Sequence, residues 1–206
     1  MRFEEWTYLW PPRPDKAVSK GVLHFYENLG WVAQVKLNGT CTVLGVAPDR
    51  SVRAMTRHND DHKMWKPSET TAAAFKKLPG NGWYVFVSEL MHTKVSGIRD
   101  INYIHDILVA DGEHLIGLSL AARQALLHSL FKVKKPTLSH YVIDDHTWLV
   151  REYSDDFTEL FEQLDRPEFE GLVLKNPKAT LASCTRATSN SGWQVKSRKP
   201  LKNFNF

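Results

Sequence analysis

Hydrophobic residues along the chain form short runs whose spacing alternates between that of strands and that of helices. Residues 31–47 predict two strands around a turn at Asn38-Gly39, a dipeptide that tolerates positive φ. Further runs rich in Val, Ile and aromatic residues predict strands over residues 83–87, 103–110, 140–143, 148–151 and 171–174. The opening stretch, residues 10–14, holds three prolines and predicts an extended lead-in.

Three segments instead have apolar residues at helical spacing. Val22, Tyr26 and Leu29 lie at i, i+4 and i+7, between Ser19 as N-cap and Gly30 as the end of the helix. The other two predicted helices are residues 120–131, with Leu127, Leu130 and Phe131 on one face, and residues 155–164, with Phe157, Leu160, Phe161 and Leu164 on one face after Ser154 as N-cap.

Strands outnumber helices and do not alternate strictly with them. The sequence therefore predicts an α+β fold of largely antiparallel sheets flanked by helices. The 206 residues are 42% hydrophobic, which suffices for an ordinary core, and no linker divides them, so we expect one domain over residues 1–206. No apolar run approaches the roughly 18 residues of a membrane helix, and no signal peptide opens the chain. We expect a cytoplasmic monomer without a membrane partner.

The charge is distributed unevenly. The chain has 27 Lys and Arg residues against 23 Asp and Glu residues, a net charge of +4. No carboxylate follows Glu170, whereas seven cations do: Lys175, Lys178, Arg186, Lys196, Arg198, Lys199 and Lys202. A basic end on a slightly acidic body indicates a polyanionic partner such as nucleic acid, although a solvated basic tail has the same composition.

Candidate chemistry centres on Lys36, which lies at a predicted strand end just before the turn at Asn38-Gly39. A lysine that acts as a nucleophile must lose its proton, and neighbouring cations favour that loss. Taken alone, however, K-x-N-G is typical of a surface lysine beside a hairpin turn. The catalytic interpretation therefore depends on basic residues supplied by other segments.

Four other segments supply such groups. Arg57, Glu89 and Glu170 lie at or near predicted strands, as do two cations, Lys196 and Arg198. Cations neutralise charge on a transferred phosphoryl group, and carboxylates bind the Mg²⁺ that accompanies it. Together these residues indicate phosphoryl transfer, whereas each carboxylate alone is typical of a solvated strand end.

In order and spacing, these segments resemble the motifs of covalent nucleotidyltransferases, which comprise ATP-dependent DNA ligases, RNA ligases and mRNA capping enzymes. K-L-N-G at Lys36 resembles motif I, whose lysine accepts the nucleotide. The other matches are Arg57 to motif Ia, Glu89 to motif III, His105 to Gly112 with Arg123 to motif IIIa and its following helix, Glu170 to Lys175 to motif IV, and Lys196 with Arg198 to motif V. The stretch from His105 is most similar to DNA ligases.

The resemblance implies a ligase-type nucleotidyltransferase domain, related to the ATP-grasp fold, in which Lys36 forms lysyl-AMP, AMP passes to a 5′-phosphate and a 3′-OH displaces it. Implied nucleotide-binding residues are Gln34, Lys36, Arg57, Glu89, His105, Lys175, Lys196 and Arg198. Glu89 and Glu170 would bind Mg²⁺, with Mn²⁺ as an alternative. ATP is the expected donor, because only 35 residues precede Lys36, too few for the nicotinamide-recognising domain of NAD-dependent ligases.

Some positions depart from the family pattern. Gln34 stands where many DNA ligases have a glutamate that binds the adenine amino group, and its amide oxygen can accept the same hydrogen bond. His105 replaces the aromatic residue that stacks on the purine, and Arg198 replaces a lysine. Asn38 replaces an aspartate, a change found among RNA-ligase-like members, so the sugar of the substrate stays open.

Eight residues follow Arg198, so we expect no OB-fold domain with its R-x-D-K motif VI. Arg13-Pro14-Asp15-Lys16 matches that motif by letters, but it lies at the opposite end of the chain and we expect it to have another role. The expected substrate is nicked duplex DNA, with RNA tolerated in one strand, bound partly through Lys199 and Lys202. The alternatives are an RNA ligase in RNA repair, a capping enzyme, and a relative that binds nucleic acid without catalysis.

Overall fold

The computed structural model of the protein describes residues 1–133 and 136–200. Short strands dominate the described residues, as the hydrophobic pattern predicts. The strands are β1 (Arg13–Ala17), β2 (Val32–Leu37), β3 (Thr40–Val46), β4 (Val52–Thr56), β5 (Tyr84–Met91), β6 (Ile101–Ala110), β7 (Glu113–His114), β8 (His140–Asp144), β9 (Thr147–Val150), β10 (Glu152–Tyr153), β11 (Phe169–Lys175) and β12 (Asn190–Arg198). The α-helices are α1 (Leu23–Asn28), α2 (Leu120–Leu130) and α3 (Phe157–Gln163).

The strands form two sheets. The first has the order β1-β12-β11-β2-β10 and the second the order β4-β3-β5-β6-β9-β8, with β7 paired to β6. Most neighbours are antiparallel, while β1 with β12 and β6 with β9 are parallel. The predicted α+β class with largely antiparallel sheets is confirmed. No helix among the described residues is long and apolar enough to cross a membrane.

The two strands predicted around Asn38-Gly39 are present, but they do not form a hairpin. β2 pairs with β11 and β10 in the first sheet, whereas β3 pairs with β4 and β5 in the second. Neither corner residue has a positive φ. Gly39 is instead required by close packing, because a Cβ there would lie 2.6 Å from Cγ of Glu89 and 2.7 Å from the carbonyl oxygen of Leu90. The corner thus carries the chain from one sheet to the other.

Helix α1 differs from its prediction. Val22 and Leu29 are exposed, while Leu23 is fully buried and Tyr26 is partly buried. The chain opens this region with a 3₁₀ turn over Lys20–Val22, and the tighter turn places Leu23 on the inward face. The predicted face was therefore wrong at both of its ends.

Helix α3 buries the whole of its predicted face, whereas in the region of α2 Leu127 and Phe131 are buried and Leu130 is only partly buried. In α2, Leu127 is fully buried, and the side chain of Ser119 caps the helix by accepting from the Ala122 amide at 3.2 Å. In α3, the predicted apolar residues Phe157, Leu160, Phe161 and Leu164 are all buried. Ser154 is not the N-cap of α3, because the helix begins at Phe157, whose amide donates to the Glu27 carboxylate at 3.0 Å.

Two hydrophobic cores result from this arrangement. One packs on the second sheet around Leu44, Phe86 and Ile107, with Leu127 of α2. The other joins the first sheet to α1 and α3 and includes Leu23 and Leu172, together with residues of the second sheet such as Met91 and Tyr103. Polar side chains from both sheets line a cleft between these cores, and that cleft holds the candidate site.

Candidate active site

A cavity of about 1240 Å³ opens between the two sheets. Strands of both sheets line it, so residues that are distant in sequence meet there. The predicted site residues that line it are Gln34, Lys36, Arg57, Glu89, His105, Glu170, Lys175, Lys196 and Arg198. The cavity therefore brings together the predicted nucleophile, both carboxylates and the predicted nucleotide-binding cations.

Lys36 lines this cavity from near the C-terminal end of β2. Its Nζ forms an ion pair with Glu170, and the two side chains are 19% and 12% exposed. On β12, which pairs with the strand that carries Glu170, Nε of Arg198 lies 3.6 Å from the same carboxylate oxygen. Glu170 is thus held between two cations, one of which is the predicted nucleophile.

Backbone conformation and close packing both require a glycine after Glu170. Gly171 lies opposite Lys36 in the β2–β11 pairing and has a φ of +133°, which side chains rarely adopt. A Cβ at this position would lie 2.1 Å from the carbonyl oxygen of Ser197 on β12. The E-G pair therefore lets three strands approach closely at the point where Lys36 and Glu170 meet.

Glu89 reaches the cavity from the second sheet. Its Oε1 accepts a hydrogen bond from the Gly39 amide at 3.1 Å, which ties it to the corner after Lys36. Burial raises the pKa of Glu89 to about 7, although the charges of Lys36 and Lys94 oppose the shift. Because this pKa is close to physiological pH, a cation or a phosphate that enters the cavity can change the protonation state of the Glu89 carboxyl group.

The two carboxylates fit a divalent metal that keeps part of its shell for other ligands. Glu89 and Glu170 line one cavity, and the charge of Glu170 raises the pKa of Glu89. Residues 1–133 and 136–200 contain no group of three or more His, Cys, Asp or Glu side chains arranged to hold a metal. Mg²⁺ is usually held by one or two carboxylates together with substrate phosphates and water, and this pair suits that mode.

A buried ion pair lies near Lys175, outside the cavity wall. Asp106 and Arg123 form a bidentate pair with distances of 2.8 Å and 3.0 Å, and Arg123 is fully buried. Lys175 lines the cavity, and burial lowers its pKa to about 8. Its side chain remains mainly a cation at physiological pH and is therefore suited to binding an anionic group.

His105 lies beside Lys175 on the wall of the cavity. Burial and the charge of Lys175 lower the pKa of His105 to about 3, so its ring is neutral at physiological pH. Its Nδ1 is buried and has no hydrogen-bond partner among the described residues. A neutral ring with an unpaired polar atom suits contact with a flat heterocycle such as a nucleobase.

Cations concentrate at the mouth of the cavity. The pKa of Lys196 is lowered by burial and then by the charges of Arg198, Lys36, Arg13 and Arg57. These five cations are therefore close enough to repel one another. Such a cluster is stabilised by phosphate groups placed among its members.

The R-x-D-K string lies on β1, which pairs in parallel with β12. Arg13 and Asp15 line the cavity, whereas Lys16 is not part of its wall. The Arg13 amide donates to the Ser189 carbonyl at 2.8 Å, and its Nε donates to the side chain of Asn190. The lead-in is thus a fixed edge strand beside the site.

Lys199 has a different environment from the other predicted residues. Its amide donates to the Glu170 carbonyl at 2.9 Å, its Nζ donates to the Glu162 carbonyl at 3.2 Å, and it lies 5.4 Å from the ring centre of Phe161. It packs on α3 and does not line the cavity. Lys202, predicted with it, lies outside the described residues.

Three residues of the site were missed from the sequence. Lys94 follows β5 in a loop, and its Nζ donates to the Gly39 carbonyl, so it holds the same corner that Glu89 holds. Arg186 lines the cavity 5.5 Å from the ring centre of Trp10. Glu152 bonds to Gln34 from the two-residue strand β10. None has a local pattern that predicts its role, since each reaches the site through tertiary packing.

Comparison with known proteins identifies the family of this chain. Residues 85–193, more than half of the chain, match the family described as the ATP dependent DNA ligase domain. The chain belongs to this family. The predicted resemblance to ligase-type nucleotidyltransferases is therefore confirmed. No curated protein matches the sequence significantly.

Solved ligase structures share the fold at low sequence identity. The ligase domain of Mycobacterium tuberculosis LigD matches with a TM-score of 0.65 and 16% identity over 92% of this chain and 59% of its own. A mycobacterial DNA ligase D complexed with ATP and MES has a TM-score of 0.59 and 15% identity over 92% of this chain and 60% of its own. Bacteriophage T7 ATP-dependent DNA ligase, complexed with ATP, has a TM-score of 0.57 and 13% identity over 92% and 68%.

The chain spans about three fifths of the length of the mycobacterial ligases that it matches. The predicted ligase-type nucleotidyltransferase fold is thus confirmed for this ATP-dependent DNA ligase domain.

Proposed function

We propose that this ligase domain seals nicks in duplex DNA, using ATP and a lysyl-AMP intermediate on Lys36. The observation that supports this proposal best is the position of Lys36. Its amine lies in a cavity large enough for a nucleotide, in contact with Glu170 and surrounded by Arg57, Lys196 and Arg198. The structures of mycobacterial ligase D and T7 ligase were solved with ATP, which supports ATP as the donor.

In the first step, Nζ of Lys36 attacks the α-phosphorus of ATP, a P–N bond forms, and the bond to the pyrophosphate breaks. An oxygen of the 5′-phosphate then attacks the AMP phosphorus and Lys36 leaves. Finally the 3′-OH attacks the 5′-phosphorus, AMP leaves, and the nick is closed. Arg57, Lys196 and Arg198 stabilise the negative charge that spreads over the phosphoryl oxygens in each step.

Glu89 and Glu170 would hold the Mg²⁺ that accompanies the nucleotide. Bound there, the metal supplies neutralisation of phosphate charge. Glu89 comes from the second sheet and Glu170 from the first, so the two carboxylates reach the phosphates from opposite walls. Gln34, His105 and Lys175 are proposed to contact the base and the remaining nucleotide groups, and Lys199 and Lys202 to contact the polynucleotide.

Glu170→Gln is expected to slow nick sealing about 10²-fold, the usual effect of removing one preorganised electrostatic contact. The substitution keeps the size of the side chain but removes the charge that pairs with Lys36 and Arg198. Single-turnover sealing across a Mg²⁺ titration measures the effect. Glu162→Gln, an exposed carboxylate on α3, is the matched control. Equal rates for Glu170→Gln and the parent would contradict the role of Glu170.

The substrate is tested with four nicked duplexes that carry DNA or RNA on the 3′-OH side and on the 5′-phosphate side, together with single-stranded RNA. We expect sealing of the all-DNA nick, with some activity when one strand holds RNA. Preference for single-stranded RNA without sealing of nicked DNA would favour an RNA ligase. Absence of covalent labelling by α-labelled ATP in the presence of Mg²⁺ would favour a non-catalytic nucleic-acid-binding relative.

A further inference from the structure

Gln34 and Glu152 form a buried polar pair at the wall of the cavity. They lie directly opposite each other where β2 pairs with β10, and Nε2 of Gln34 donates to Oε1 of Glu152 at 2.9 Å. Gln34 is 3% exposed and lines the cavity, whereas Glu152 is not part of the cavity wall. Glu152 therefore contacts Gln34 from outside the cavity wall.

The chemistry of the two groups fixes how the amide is oriented. An amide has one donating and one accepting end, while a carboxylate only accepts, so Glu152 binds the NH₂ end of Gln34. Burial raises the pKa of Glu152, but the Gln34 hydrogen bond and the charge of Lys175 both oppose that shift and favour the ionised, accepting form. Among the described residues, the side chain of Gln34 forms its hydrogen bond to Glu152 through Nε2, and none is formed by Oε1. Oε1 is left to accept from a ligand in the cavity.

Purine bases differ in what they offer to such an oxygen. Adenine carries a 6-amino group, which donates, whereas guanine and hypoxanthine carry a 6-oxo group, which accepts. Where Oε1 of Gln34 faces position 6 of the base, a 6-oxo purine brings two accepting oxygens together and leaves both of them unpaired. We propose that Glu152 is a specificity-determining positioning residue, which fixes the Gln34 amide with its oxygen toward the cavity and so selects 6-aminopurine over 6-oxopurine nucleotides.

This inference rests on the proposed nucleotide-binding function, and its test is Glu152→Gln. An amide at position 152 can donate to Oε1 of Gln34, which lets the Gln34 amide turn and present its NH₂ group to the base. The parent is expected to prefer ATP over ITP, which differs from ATP in carrying a 6-oxo group. The preference in the variant should fall about tenfold, which corresponds to one neutral hydrogen bond. It is measured as the ratio of dissociation constants, from thermal shift, and as the ratio of kcat/KM for covalent labelling.

A matched control exists on α3, where Gln163 donates to the exposed Glu159 at 3.2 Å. Glu159→Gln changes the same kind of pair far from the cavity and should leave the ratio unchanged. Loss of the charge near Lys175 would weaken ATP and ITP equally, so the ratio separates orientation of the amide from electrostatics. In a Gln34→Ala background, Glu152→Gln should no longer change the ratio, because its effect passes through the amide.

An unchanged ATP:ITP ratio in folded Glu152→Gln would overturn the inference, as would the same change of ratio in the Gln34→Ala background. If Glu152→Gln does not fold, Glu152→Ala leaves the amide without a fixed orientation, and an unchanged ratio there would equally overturn it. A shift of the binding ratio without covalent labelling of the parent would support the role of Glu152 and contradict the proposed ligation. Covalent labelling of the parent together with an unchanged ATP:ITP ratio in the variant would support the proposed ligation and contradict the role of Glu152.

Discussion

Substitution of Lys36 by alanine or by arginine is expected to abolish covalent labelling of the protein by α-labelled ATP. Alanine has no nucleophile, and the guanidinium of arginine stays protonated at any pH at which the protein is folded. Arginine retains the positive charge opposite Glu170, so it tests nucleophilicity apart from charge. Labelling is measured by gel after incubation with Mg²⁺, and sealing of a nick that already carries a 5′-adenylate is measured alongside.

The control for Lys36 is Lys20, whose Nζ forms an exposed ion pair with Glu162 outside the cavity. Lys20→Ala and Lys20→Arg should label as the parent does. The Lys36 variants should keep the melting temperature of the parent to within a few degrees, since Arg198 still pairs with Glu170. Labelling retained in both Lys36 variants would contradict the assignment of the nucleophile.

Asp106→Asn is expected to destabilise the fold by about 3–5 kcal/mol, because it leaves the guanidinium of Arg123 buried without its counter-charge. Arg123 is fully buried and makes two hydrogen bonds to Asp106. Urea denaturation measures the loss. Asp165→Asn, at an exposed position after α3, is the control. The double variant Asp106→Leu with Arg123→Met should recover part of the loss, since it removes both charges. A loss below about 1 kcal/mol in Asp106→Asn would contradict the expectation.

The same pair sets a dependence of stability on pH. Burial raises the pKa of Asp106, but the charge and hydrogen bonds of Arg123, the charge of Lys175 and the Ile107 amide together lower it by more, so the net pKa is below its usual value. A depressed carboxyl pKa contributes stability above the unfolded pKa of about 4, and that stability is lost as the pH falls through the folded pKa. The parent should therefore lose stability on acidification below about pH 4, and Asp106→Asn should lose less over the same range.

The sequence predicts those parts of the fold that depend on neighbours along the chain. The faces of α2 and α3 follow from apolar spacing, and the strands that carry Lys36, Glu89 and Glu170 follow from β-branched runs. The alternating pattern of a strand states which residues point inward, but not which strand lies beside it. This is why β2 and β3 were predicted as one hairpin, although close packing of Gly39 against Glu89 directs them into different sheets.

The residues of the candidate site likewise include some that the sequence predicts and some that it does not. Motif order along the chain was enough to predict the residues that line the cavity, because their spacing resembles that of a known family. Lys94 and Glu152 escaped prediction because each acts through a single long-range hydrogen bond, to Gly39 and to Gln34. A two-residue strand such as β10 has no periodicity to detect. Residues of this kind become visible only when the tertiary pairing is known.

The corner at Asn38-Gly39 also divides the chemistry between two bodies of the fold. Lys36 and Glu170 belong to the sheet that packs with α1 and α3, whereas Glu89 and His105 belong to the other. The hydrogen bonds of Glu89 and Lys94 to Gly39 therefore fix the position of the second sheet relative to the corner that follows Lys36. The two sheets also share packing, because the core beside the first sheet includes Met91, Ile101 and Tyr103 of the second. A substitution at the corner can therefore displace Glu89 from Lys36 while the cores stay packed, so that the candidate site loses its alignment in a protein that is still folded.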